Sequence, residues 1–229
     1  MTDLSILSAI EERLTYYGNR GGINDTCKEF LEHITCFGAD LKSHVCRVAL
    51  IAERVALETG SDGRAAFYAG LLHDFGKVLL PEQLFDGHDI DLREYEHIKS
   101  HAERGFRILR EHHLFSALVA GLHHALGGEN TYGITSDDLP EGISEKLLQN
   151  AVEMAQLISM VDFADAFLHR RTRLIGETGE SHTPEVLVRH LKDRFGPRAP
   201  IDAVIRHARE LKDRAAPRIG CDNPVRNGE

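Results

Sequence analysis

Apolar residues recur at intervals of three and four along almost the whole chain, the spacing of one buried helix face. Leu4, Leu7, Ile10 and Leu14 predict a first helix, which Gly18 to Gly22 interrupts. A second is expected over Thr26 to Ile34. A third runs from about Leu41 to Glu58, with Val45, Val48, Ala49, Ala52, Val55 and Ala56 inward and Gly60 as its stop. Ser61 and Asp62 cap a fourth through Tyr68 to about His73. Asp91 to Arg110 reads as one amphipathic helix, weakened slightly by Gly105. Leu114 to His124 is a short apolar helix, 127–142 a loop rich in Gly, Asp, Asn and Thr, and Ile143 to Leu168 a long buried helix. Thr183 and Pro184 start another, Gly196 and Pro197 end it, and Pro200 to Ala215 is the last. No stretch alternates convincingly enough for a strand, and no repeat or low-complexity tract is present. The expectation is an all-α protein.

Composition narrows the class. The 229 residues suit one domain with small appendages and are enough for a core without disulfides. The net charge of −9 argues against general nucleic-acid or membrane-surface binding, while leaving room for a local basic pocket for phosphate. Cys27, Cys36, Cys46 and Cys221 form no CxxC pair and read as reduced thiols. The first residues lack a long apolar block and no run approaches membrane-spanning length, so the expected location is the cytoplasm.

The chemistry lies in polar residues that interrupt the apolar faces. His73 and Asp74 follow an apolar run directly, a poor core pair but a good one for ions that take imidazole nitrogen and carboxylate oxygen together. Asp40 and His44 lie four apart on one face, at the start of the stripe continued by Val48 and Ala52. On spacing alone, His44 reads as a half-exposed residue near a helix start. His97 and His101 are also four apart; either both ligate or His97 faces solvent. His123 and His124 close an apolar helix beside a Gly-rich loop, whereas His112 and His113 sit beside Arg110 and Glu111 and read as surface. Asp162 interrupts a core helix, so it needs a cation or several hydrogen bonds; a buried arginine pair is the alternative to a metal. Asp165 is placed to orient a ligand or a substrate. Lys77 either holds a phosphate oxygen or complements a helix C-terminus. So many candidates exceed the needs of one ion and suit two ions bridged by a carboxylate.

The order of these residues resembles the HD superfamily of metal-dependent phosphohydrolases, closest to the HD-GYP branch, whose usual activity is cyclic-di-GMP hydrolysis. The similarity runs from Asp40 to Arg173 and rests on four motifs. Residues 69–77 (AGLLHDFGK) resemble the HDxGK box, and 101–109 (HAERGFRIL) the following His–Gly–apolar box. His123 and His124 resemble the double histidine, and 162–166 (DFADA) the DxxDA box. The resemblance implies a compact HD-type helical bundle over 39–175, with N-terminal helices over 1–38 packing on it, C-terminal helices over 176–216 and a loose tail over 217–229. The flanking helices cover the core or build a homodimer interface.

It further implies that His44, His73, Asp74 and Asp162 form one ligand set, with Asp74 as bridge, and that His101, His123 and His124 extend it to a second ion. Asp40 falls where three-metal members add a ligand. Two divalent ions are implied, iron or manganese, with a third where Asp40 takes part. Lys77 resembles the phosphate-contacting lysine. Arg171 falls near an arginine used on the cyclic dinucleotide, or is a solvated member of the Arg170–Arg171–Arg173 cluster. The branch's Glu after the double histidine is Ala125 here, and of its Gly-Tyr-Pro loop only Tyr132 survives; the Pro-Tyr pair expected after Arg171 is absent. The implied activity is phosphoester hydrolysis on a nucleotide or cyclic dinucleotide by a metal-bridging hydroxide. Two rivals are a di-iron oxygenase on the same scaffold and a degenerate nucleotide-binding signalling module.

Overall fold

The computed structural model describes residues 3–126, 131–169, 183–197 and 200–215. Among them there is no β-strand, in agreement with the all-α expectation. Helices α1 (Asp3–Tyr17) and α2 (Ile23–His33) precede the long central α3 (Ala39–Glu58), which packs against α1 and against α4 (Gly63–Leu72). Two shorter pairs follow: α5 (Leu92–Lys99) with α6 (His101–Leu109), then α7 (Leu114–Leu122) with the 25-residue α8 (Glu145–His169). Helices α9 (Pro184–Phe195) and α10 (Pro200–Ala215) close the bundle on α8 and α3. None of the described helices is long and apolar enough to cross a membrane.

Helix α3 is central because its apolar stripe is nearly continuous. Val45, Val48, Ala49, Ile51, Ala52, Val55 and Ala56 are all fully buried. Its small residues admit α4 at close range: a Cβ at Gly70 would stand 2.6 Å from the Ala49 Cα. Asp62 caps α4, accepting from the Ala65 N–H at 3.0 Å, as its position before the apolar run suggests.

The stretch expected as one helix from Asp91 to Arg110 is two. Asp91 and Glu94 form a capping box at the start of α5. At Ser100 the hydroxyl donates to the His97 carbonyl at 2.7 Å, and the chain turns there into α6. Helical periodicity continues across the break, which is why the pattern does not reveal it. The second helix likewise begins at Ile23 rather than Thr26, after a left-handed Gly22 with φ of 74°.

Gly105 proves to be a contact point rather than a weak spot. The 3₁₀ turn Phe75–Leu79 lies on α6 so closely that a Cβ at Gly76 would sit 1.9 Å from the His101 carbonyl oxygen and 2.7 Å from the Gly105 nitrogen. Neither backbone atom can swing away. Gly76→Ala is therefore expected to cost about 3 kcal/mol or more, the upper range for overpacking a core, read as a lower urea midpoint. Wild-type stability in that variant would contradict the close approach.

Candidate metal centre

Three of the histidines reach the centre of the bundle by the same local device. His73, at the end of α4, donates from Nδ1 to the Gly70 carbonyl at 2.8 Å. His101, at the start of α6, donates to the Ile98 carbonyl at 2.7 Å, and His123, following α7, to the Ala120 carbonyl at 2.7 Å. Each uses the carbonyl three residues earlier, which fixes the ring and leaves Nε2 as a bare lone pair. All three rings are fully buried, and all three Nε2 atoms lack a hydrogen-bond partner. Buried acceptors left in that condition are costly, and three in one place suit a cation. His44 is held differently, its Nδ1 donating to Asp165 Oδ2 at 2.8 Å.

The donor atoms converge. Those of His44, His73 and Asp162 lie within 4.8 Å of one another, as do those of His101, His123 and His124, and those of His73, Asp74 and His123. Asp74 stands between the groups. Its Oδ2 is 3.4 Å from His73 Nε2 and 3.7 Å from His44 Nε2, while its Oδ1 is 3.2 Å from His101 Nε2. Asp162 approaches from α8, with Oδ1 3.1 Å from His44 Nε2 and Oδ2 3.9 Å from His124 Nε2. The residues fit two divalent ions of the borderline class: four imidazole and carboxylate donors face each position, counting Asp74 in both.

Electrostatics agree with that donor set. Burial, followed by the neighbouring His73 and His101, pushes His123 down to about 3, and burial beside His123 pushes His124 well down too. These rings are neutral near pH 7, as ligands must be. Burial would raise Asp74, yet His73 and Lys77 hold it well below the usual carboxylate range; His44 does the same for Asp162. His44 is the exception. Burial acts to lower it, but its hydrogen bonds to Asp162 and Asp165 prevail and raise it to about 9. In the metal-free protein at pH 7 it therefore carries a proton, which an ion must displace. We expect uptake of the first ion at pH 7 to release about one proton, and its affinity to rise about tenfold per pH unit until pH 9 and then level off. Calorimetry in buffers of different ionisation enthalpy reads the proton directly, and pH-independent affinity between 6 and 8 would refute the assignment of His44.

Around this core lie residues the spacing argument did not single out. Arg47 makes a bidentate pair with Asp165, Nε to Oδ1 at 2.7 Å and Nη2 to Oδ2 at 2.8 Å. His169, one turn beyond on α8, lies 3.1 Å from Asp165 Oδ1. The arginine pair considered for Asp162 thus belongs to Asp165 instead. Asp165 is fully buried, its pKa lowered below the carboxylate range by Arg47, His169 and His44 against the effect of burial. Its position suits orienting His44 and leaves it no open face for a substrate. A signal for Arg47 was present: an arginine between Cys46 and Val48, three residues after His44, interrupts the α3 stripe.

The other candidates separate clearly. Lys77 donates to Asp74 Oδ2 at 2.6 Å and sits partly exposed at the rim. Asp40 is exposed in the first turn of α3 and belongs to none of the three donor groups. His97 is exposed, so of that pair only His101 points inward. His113, expected at the surface, is half-buried and shares a 2.8 Å hydrogen bond with Thr26 Oγ1, because α2 packs over the start of α7. Tyr132 stacks on His124 with ring centroids 4.4 Å apart, and Lys99 Nζ lies 5.8 Å from the same tyrosine ring. Arg171 lies outside the described residues.

The HD domain family model matches residues 41–195. Ribonuclease Y of Lactobacillus helveticus (strain DPC 4571) is 33% identical over 96 residues, covering 41% of this chain and 15% of that protein. Ribonuclease Y of Sulfurimonas denitrificans is 30% identical over 104 residues, covering 45% of this chain and 17% of that protein. The chain thus spans less than a fifth of the length of these relatives. Among solved structures, the HD domain of the L. monocytogenes phosphodiesterase PgpH superposes with a TM-score of 0.55 at 19% identity, over 80% of this chain and 97% of that one. The same domain in complex with cyclic-di-AMP matches with the same score over 82% of this chain. The family match over most of the chain, on a bundle that carries this buried histidine–aspartate cluster, shows that the chain belongs to the HD domain family.

Proposed function

We propose that the protein hydrolyses a phosphodiester on a nucleotide or cyclic dinucleotide, with His44, His73, Asp74 and Asp162 holding one divalent ion and His101, His123, His124 and Asp74 the other. The observation that carries this reading is the position of Asp74, whose two oxygens face the two histidine groups. Two ions held there would supply an activated water at neutral pH and screen charge on a phosphoryl oxygen. The protein's own part is positioning. The i−3 carbonyl bonds fix the tautomers of His73, His101 and His123. Asp165, anchored by Arg47, fixes that of His44. Lys77 stands beside Asp74, where its ammonium can turn from the carboxylate to a nonbridging phosphate oxygen.

The substrate class draws support from the relatives: a ribonuclease and a phosphodiesterase by name, the latter's domain also seen with cyclic-di-AMP. With the chain's net charge of −9, a small phosphodiester suits it better than a long polyanion. Tyr132, stacked on His124 beside Lys99, is placed to meet a base or ribose at the rim. The metals expected are iron or manganese.

The test is hydrolysis of cyclic-di-AMP, cyclic-di-GMP, a short RNA and a chromogenic monoester by protein stripped with chelator and reloaded with manganese or iron. Cleavage of a cyclic dinucleotide, abolished by chelator and restored by metal, is the expected result. Cleavage of the monoester alone would remove the diester assignment. Oxygen consumption without phosphoester cleavage would favour the di-iron oxygenase, for which the three-imidazole group His101, His123 and His124 is the specific argument.

A further inference from the structure

Helices α4, α7 and α8 each have two functional ends. Their C-terminal portions lead to His73, His123 and Asp162. Their earlier portions line a cavity of about 820 Å³, bordered also by Ile23 and Pro200. Helix α4 has ten residues and α7 nine, so their first turns, which line the cavity, lie about 12–15 Å from their C-terminal ends, while along α8 the wall runs as far as Met160. The volume falls in the range of small-molecule sites.

Three features of its wall call for an anion. Helix α7 starts without a side-chain cap at His113, so its first-turn N–H groups at Leu114, Phe115 and Ser116, all in the lining, present the positive end of the helix. Ser116 is only 4% exposed and lines the cavity, and its hydroxyl makes no hydrogen bond with any described residue. Arg64 also lines it; its guanidinium lies over the Tyr68 ring at 5.0 Å, and its buried Nε has no hydrogen-bond partner. The two sides are tied through α2, because Tyr68 donates to Asn24 Oδ1 at 2.6 Å while Thr26 bonds His113 at 2.8 Å.

The rest of the wall describes the remainder of the ligand. Phe115, Met154, Leu157 and Met160 offer apolar surface, and Asn150 and Glu153 offer polar atoms for hydroxyl or amino groups. Asp62 also lines the cavity, its carboxylate accepting at the α4 cap, so the phosphate is assigned to the α7 side of the wall.

We propose that this cavity is a second ligand site, separate from the metal centre, for a small organic phosphate of the nucleoside monophosphate class. The phosphate sits on the α7 N-terminus with Ser116 and Arg64 as donors, and the base lies along the methionine side. Three kinds of donor match the several acceptor oxygens of a phosphate better than a planar carboxylate.

The experiment uses the full chain stripped of metal, so the catalytic reading does not enter the result. Amide chemical shifts are followed while AMP, ribose 5-phosphate, citrate and adenosine are added in turn. AMP is expected to move the signals of Leu114, Phe115 and Ser116, ribose 5-phosphate to move them less, and adenosine and citrate to leave them in place. Arg64→Ala and Ser116→Ala should each weaken AMP by about tenfold or more, as expected for hydrogen bonds to a charged group. Should one variant fail to fold, the other carries the test. Shifts confined to the histidines of the metal centre, equal binding of adenosine and AMP, citrate binding as tightly as AMP, or unchanged affinity in a folded variant would each overturn the proposal.

Discussion

Replacing Asp74 with alanine is expected to empty both ion positions and to lower phosphodiesterase turnover by more than about 100-fold, beyond what loss of a supporting residue does. The reason is geometric. Asp74 is the one carboxylate with an oxygen near His73 on one side and an oxygen near His101 on the other. Its removal also takes the nearest negative charge away from Lys77, which then faces the centre as an unopposed cation. Asp162 would then be the one carboxylate left among the imidazoles, and with a free ammonium beside them the site is a poor one for divalent ions. The measurement is metal content per chain by elemental analysis, made on Asp74→Ala and Asp74→Asn beside wild type, with far-ultraviolet circular dichroism to verify the helices. Full occupancy of two ions in folded Asp74→Ala would break the bridging assignment and the mechanism built on it.

The second large effect is expected at Arg47, a residue that touches none of the proposed ions. Arg47→Ala leaves the buried Asp165 carboxylate without its bidentate partner. Breaking a buried pair from one side costs about 3–5 kcal/mol, so the urea midpoint of the metal-free protein should fall clearly. Metal affinity should fall too, by about 10–100-fold, since Asp165 then no longer holds the His44 ring in place. A double replacement, Arg47→Met with Asp165→Leu, separates the two effects. It removes both charges together, so stability should return while the metal affinity stays low. A stable Arg47→Ala protein, or recovery of metal affinity in the double variant, would show that the pair is not what supports His44.

These two residues also mark how far the chain can be read without its fold. Asp74 was legible because it breaks an apolar run beside a histidine, and Asp162 because it breaks a core helix. Both anomalies are local: a carboxylate on a buried face needs a partner wherever the face ends up. Arg47 also interrupts a buried stripe, but a long side chain there can equally reach solvent, so its pairing with a residue 118 positions away had no local mark. His113 shows the reverse error. Its neighbours Arg110 and Glu111 are polar, and only the packing of α2 across the start of α7 encloses it. The break at Ser100 was hidden because α5 and α6 keep one helical period across it.

By itself the chain determined its helical class, most of its helices and the residue types able to hold borderline metal ions, because periodicity, caps and misplaced polar groups act over a few residues. Tertiary structure alone decided which of 14 histidines meet. It turned His101 inward and His97 outward, gave Asp165 to Arg47, left Asp40 at the surface, and opened a cavity at the far end of the same helices. Those outcomes depend on how α3, α4, α6, α7 and α8 cross, and crossing angles follow from side-chain packing between helices distant in sequence, which spacing along any one of them does not contain.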